Sequence, residues 1–132
     1  MPKTGSIPTI FVISGGVGAS GEQLVHTLLA QFPNDAVQVT TVGHVRYPEQ
    51  ITNALLQAQK LDALVAYTLV DPSLHDHLLQ EAQRLQVQAV DLMGPIMSWV
   101  TEKIGMQPKA QPGLYRQLQR AYFERVSAID FP

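Results

Sequence analysis

The sequence predicts a small α/β domain: one parallel sheet with helices on both of its faces. Three observations carry that expectation. Short β-branched runs alternate with stretches of helical apolar period along most of the chain. A glycine-rich turn, "SGGVGASGE" at 14–22, separates the first such run from the first helical stretch. At 132 residues and with no cysteine, the chain is sized for one domain whose core needs neither disulfides nor a cysteine-bound metal. Alternation of this kind means βαβ units joined by right-handed crossovers.

The elements follow in order. "TIFVIS" is a buried strand bounded by glycine. After the turn, Val25, Leu28, Leu29 and Phe32 recur at i, i+3, i+4 and i+7 and define one apolar helical face. Ser20 with Gln23 three residues on has the form of a capping box, which places the helix start near Ser20. "FPND" breaks that helix and "AVQVTTV" is the second strand.

"HVRYPEQ" leads into a helix with Pro48 in its first turn and Ile51, Ala54, Leu55 and Ala58 on its buried face. "ALVAYTLV" is the third strand. Asp71 and Pro72 then read as N-cap and first helical residue, and Leu74, Leu78, Ala82 and Leu85 form the next stripe. "VQAVDL" is the fourth strand. A further helix presents Ile96, Trp99, Val100 and Ile104 and stops near Gly105. "MQPKAQPG" is a connector, and a last helix uses Leu114, Leu118, Tyr122 and Val126. The expectation is a Rossmann-like, three-layer domain with strand order 2-1-3-4 and an added C-terminal helix. Its parts are a flexible arm over 1–8, the α/β domain over 9–106, a connector over 107–112, and a docking or dimerisation helix over 113–132.

Composition narrows the function classes. Net charge is −2, and no stretch concentrates lysine and arginine as a nucleic-acid footprint requires. No apolar run approaches the length of a membrane span, and the N-terminus lacks an apolar signal region. The expected setting is cytoplasmic, without nucleic acid or membrane as partner. Charged residues make up only 15 % of the chain, and such a surface offers little repulsion to a partner or a second copy.

Residues 16–21 fit G-x-G-x-x-G after a strand and before a helix, the context in which bare backbone approaches a phosphate at a helix N-terminus. The expected ligand-binding residues are Ser14, Gly15, Gly16, Gly18 and Ser20, with Arg46 at the end of the second strand adding charge. Two features stand against a dinucleotide site. No acid follows the second strand to hold a ribose, and only half of the dinucleotide fold is present. No Walker-type motif occurs. A tight turn serving packing alone, a generic phosphate or ADP/ATP site, and an NADP site with Arg46 on the 2′-phosphate all stay open. His75 and His77 lie two apart, on different faces of a helix, and cannot pair as zinc ligands. Asp71 is taken by its cap, and His44, Tyr47 and His26 join no catalytic set. Arg116, Arg120 and Arg125 read as a solvated face. No catalytic or metal residue is assigned.

Four stretches together resemble the N-terminal part of the pyruvate, phosphate dikinase regulatory proteins, a family that includes the phosphoenolpyruvate synthase regulatory proteins. They are "IFVISGGVGASGE", "VRYPEQI", "YTLVDPSLHDHLLQEAQRLQVQAVDLMGP" and "QPGLYRQLQRAYFERVSAIDF", in order across residues 10–131. The resemblance implies a bifunctional system that phosphorylates a threonine of a dikinase or synthase with ADP and removes it with phosphate. It also implies that the nucleotide P-loop lies in a later domain, beyond the segment matching "AIDF". The expectation is therefore a module inactive as a kinase on its own: a homodimer, a recognition element for the target enzyme, or a sensor. In the opening turn Gly15, Val17 and Ala19 replace an acid, a threonine and a glutamate of the family pattern, while Ser14, Gly16, Gly18, Ser20 and Glu22 agree with it. The exchange leaves the backbone turn in place and makes it more hospitable to an anion.

Overall fold

A computed structural model describes residues 7–115 and 117–120. Four strands form one parallel sheet: β1 (Thr9–Ser14), β2 (Gln38–Val42), β3 (Leu64–Thr68) and β4 (Ala89–Asp91), in the order β2-β1-β3-β4. Between and after them run α1 (Ala19–Leu29), α2 (Pro48–Leu61), α3 (Pro72–Leu85) and α4 (Gly94–Ile104). Residues 114–115 and 117–120 are helical as well. The expected architecture and strand order hold. The arm's residues 1–6 and the helix positions Tyr122 and Val126 lie outside the described residues.

The period of two along β1 divides the interior. Phe11 and Ile13 point to one face of the sheet, where they meet Val65 and Tyr67 of β3 and the stripes of α2 and α3. Val12, with Ala66, points to the other face and meets Val25 of α1. The first core is much the larger. All the expected contact residues of α2 and α3 are buried: Ile51, Ala54, Leu55 and Ala58 on α2, and Leu74, Leu78, Ala82 and Leu85 on α3. Asp71 caps α3 as expected, its Oδ1 accepting the backbone N–H of Ser73 at 2.9 Å and of Leu74 at 3.3 Å.

α1 and α4 depart from expectation. The N-cap of α1 is Gly18 in a left-handed conformation, and no side chain caps the helix, so Ser20 lies within the first turn and forms no capping box. The glycine backbone makes the reversal that a hydroxyl cap otherwise supports, with Glu22 N–H donating to Gly18 C=O at 3.0 Å. Of the predicted α1 stripe only Val25 is buried and Leu29 half-buried; Leu28 and Phe32 face solvent. α4 buries none of its residues, and Ile96, Trp99, Val100 and Ile104 are exposed. Its apolar stripe is real, but no described element stands opposite it.

Candidate functional site

In an open parallel sheet, ligands bind beyond the C-terminal strand ends where the strand order reverses direction. Here that point lies between β1 and β3, whose last residues, Ser14 and Thr68, are paired in register. The glycine turn rises from it. Ser14 Oγ accepts the N–H of Gly16 at 3.0 Å. The loop after β2 braces the turn from outside, with His44 N–H donating to Gly16 C=O at 2.7 Å and Val45 N–H to Ser14 C=O at 3.1 Å.

Gly18 is required twice: its φ is 86°, and a Cβ there would stand 2.6 Å from Thr41 Cγ2. At Gly21 a Cβ would approach Val12 Cγ1 to 2.9 Å, so this glycine sets how closely α1 packs on the sheet. Glu22, in the first turn of α1, accepts the Thr41 hydroxyl at 2.8 Å and ties the helix start to β2.

A cavity of about 380 Å³ opens above this turn. Residues 14–21 form its floor, Thr68 and Val70 one side, Met93 and Met97 another, and residues 108–115 its roof. Ser14, Gly15, Gly16, Gly18 and Ser20 thus come together on one surface, as the sequence suggests. Arg46 does not line the cavity. Its guanidinium donates to Gly15 C=O and, at 3.1 Å, to Val45 C=O, which fastens the back of the turn. The methionines and the roof were not legible: they lie far along the chain in "DLMGPIM" and in a connector with no ligand pattern. Among the described lining residues Lys109 is the only charged one.

A second polar group sits at the end of β4. Asp91 Oδ1 accepts the N–H of Gly94 at 2.7 Å and of Met93 at 3.0 Å, and Oδ2 lies 2.9 Å from His75 Nε2. Burial alone would raise the Asp91 carboxyl, but these backbone donors and the His75 imidazole together hold it below the ordinary aspartate value. Tyr67 packs its ring edge-on against His75, centroids 5.5 Å apart, and burial and the charge of Asp91 raise its phenol. His77 turns the other way, toward the Thr52 hydroxyl at 3.0 Å, and Thr52 donates to Glu81 at 3.1 Å. These contacts tie α3 to β4 and α2 to α3. Among the described residues no group of three or more His, Asp or Glu side chains could hold a metal ion.

A parallel sheet with a braced glycine turn at its switch point places the chain in the Rossmann-like class. Comparison with known proteins then gives the family: residues 10–132 match the kinase/pyrophosphorylase family model, and the chain belongs to that family. It is 35 % identical over 129 residues to a protein of Carboxydothermus hydrogenoformans named as a pyruvate, phosphate dikinase regulatory protein, covering 98 % of this chain and 47 % of the relative. A protein of the same name from Chloroflexus aurantiacus is 33 % identical over 98 % of this chain and 47 % of its own length. One from Desulfotalea psychrophila is 32 % identical over 92 % of this chain and 43 % of its own length. The chain therefore spans about half the length of the relatives it matches. No helix among the described residues is long and apolar enough to cross a membrane.

Proposed function

We propose that this chain acts in the cytoplasm as a non-catalytic module in the control of a pyruvate, phosphate dikinase or phosphoenolpyruvate synthase, and that it pairs with a second copy of itself through α4. The carrying observation is the apolar face of that helix, which no other described element covers and where Trp99 is 60 % and Ile96 71 % exposed. From Gly94 to Thr101 the helix carries no charge, so two copies laid antiparallel about a two-fold axis would bring no ion into the contact along that length. The names of the relatives support the dikinase as target; the synthase rests on the family resemblance alone.

Light scattering tests the association. A dimer at tens of micromolar that becomes monomeric in Trp99→Glu supports it; a monomer at high micromolar concentration overturns it. Incubation with purified dikinase, nucleotide and magnesium tests the rest. No threonine phosphate should form without a further domain, and formation of any would refute the non-catalytic role.

A second reading is favoured by the cavity over the glycine turn: a phosphate or nucleotide site for ADP, ATP or NADP. Its volume falls within the roughly 300–1,000 Å³ usual for small-molecule sites, and its walls offer turn backbone on one side and methionine on the other. Calorimetry against phosphate, pyrophosphate, ADP, ATP and NADP should give heat with at least one of them, and silence from all five ends this reading.

A further inference from the structure

The cavity's two walls are held in different ways. The floor is tied to the sheet by the backbone bonds of His44 and Val45 and by the Arg46 guanidinium. The roof rests on it by apolar contact. Pro112 lies 3.4 Å from where a Gly15 Cβ would be, and the Gly113 backbone 3.5 Å from the same point on Gly16. Among the described residues, no hydrogen bond joins 106–113 to the sheet or to helices α1–α4; Gln111 bonds only onward, to Gln117 at 2.8 Å. The segment is bracketed by Gly105 at φ 68° and Gly113 at φ 73°, and a Cβ at either would meet nothing within 4 Å among the described residues. Left-handed glycines in open space can change dihedral without dragging packed side chains with them.

We propose that residues 106–113 are a strap hinged at these two glycines, which lifts to admit a ligand and is then held down by it. This rests on the ligand reading given above and adds its regulation. The lining selects the ligand class. Met93, Met97 and Leu114 accept a flat apolar body, and Lys109, the only charged side chain among the described lining residues, rides on the strap. An anion resting on the floor draws that cation, and the strap with it, toward the turn. A nucleotide-sized anion with an aromatic ring meets both demands. The helix that begins at Leu114 follows directly on the strap, so occupancy becomes a change in that helix's freedom.

The test uses the full chain, with ADP as probe. Because the chain has no cysteine, Gly15→Cys with Pro112→Cys introduces a single pair, at a Cβ separation close to the usual disulfide value of about 3.8 Å. With its own reduced form as the reference, oxidation of the double variant should slow ADP binding at least tenfold, and a rate unchanged by oxidation counts against the strap. In the unmodified chain, saturating ADP should slow tryptic cleavage of the Lys109–Ala110 bond at least fivefold, read by peptide mass. Lys109→Gln should weaken ADP at least threefold with an unchanged circular dichroism spectrum, which provides a check should the cysteine pair fail to fold. If ADP binds while cleavage and Lys109→Gln affinity stay unchanged, the strap is refuted and the site survives. If ADP gives no heat with the unmodified chain, the strap is overturned as stated, and the site falls with it when phosphate, pyrophosphate, ATP and NADP are silent too.

Discussion

A methyl group on residue 18 would press within 2.6 Å of Thr41 Cγ2 from a backbone already at φ 86°. The left-handed conformation costs a non-glycine residue roughly 1–2 kcal/mol, and overpacking adds about 1–3 kcal/mol. Gly18→Ala should therefore lose about 2–5 kcal/mol in urea unfolding. The opposite exchange should help at the end of α3, where Gln86 sits at φ 55° and Val87 N–H closes the helix onto Ala82 C=O at 2.9 Å. Gln86→Gly should raise stability by about 1 kcal/mol in the same assay, the left-handed penalty being partly offset by glycine's freedom in the unfolded chain. Asp91 provides a pH signature. Its folded carboxyl is held below the unfolded value of about 3.9, so its contribution is complete above that pH and declines as acid titrates the folded form. Asp91→Asn should flatten the fall of the urea midpoint below about pH 4, as compared with the unmodified chain across a pH series.

At the scale of elements, α3 and α4 form an experimental pair. Leu78 is fully buried against the sheet, and Leu78→Ala should cost about 2–5 kcal/mol. Ile96, on an equally regular stripe, is exposed, and Ile96→Ser should change monomer stability by no more than about 0.5 kcal/mol, measured by urea titration at low concentration. The contrast marks what periodicity conveys: it tells which side of a helix is apolar, not whether anything stands opposite. The stripes of α2 and α3 are buried in one cluster with β1 and β3, so both were legible. For α1 the contact narrows to Gly21, Val25 and Leu29. Strand ends were read too long for a related reason. Val87 is buried in the core yet precedes β4, since apolar burial does not require a ladder partner. The Ser20 cap failed because the left-handed glycine two residues earlier had already made the turn.

The molecule as a whole is a sheet with unequal sides. The α2–α3 face holds most of the buried side chains, whereas α1 covers a small cluster and α4 none. Local opening follows such differences. Amide exchange should therefore be slowest in β1, β3, α2 and α3, and α4 should exchange at least tenfold faster by mass spectrometry. Of the site, only the floor was legible, because a glycine turn is a local pattern. The roof depends on contacts between distant parts of the chain, and the redirection of Arg46 onto the Gly15 carbonyl depends on how the loop after β2 lies. That same separation in sequence has a kinetic meaning. Seating Pro112 and Gly113 on Gly15 and Gly16 closes a loop that contains β2, β3, β4 and all of α1 to α4. The entropy cost of closure falls when the intervening chain is already compact. The mouth of the domain must then assemble late, over a floor that has already formed, and a freshly folding chain passes through a stage in which the glycine turn stands open.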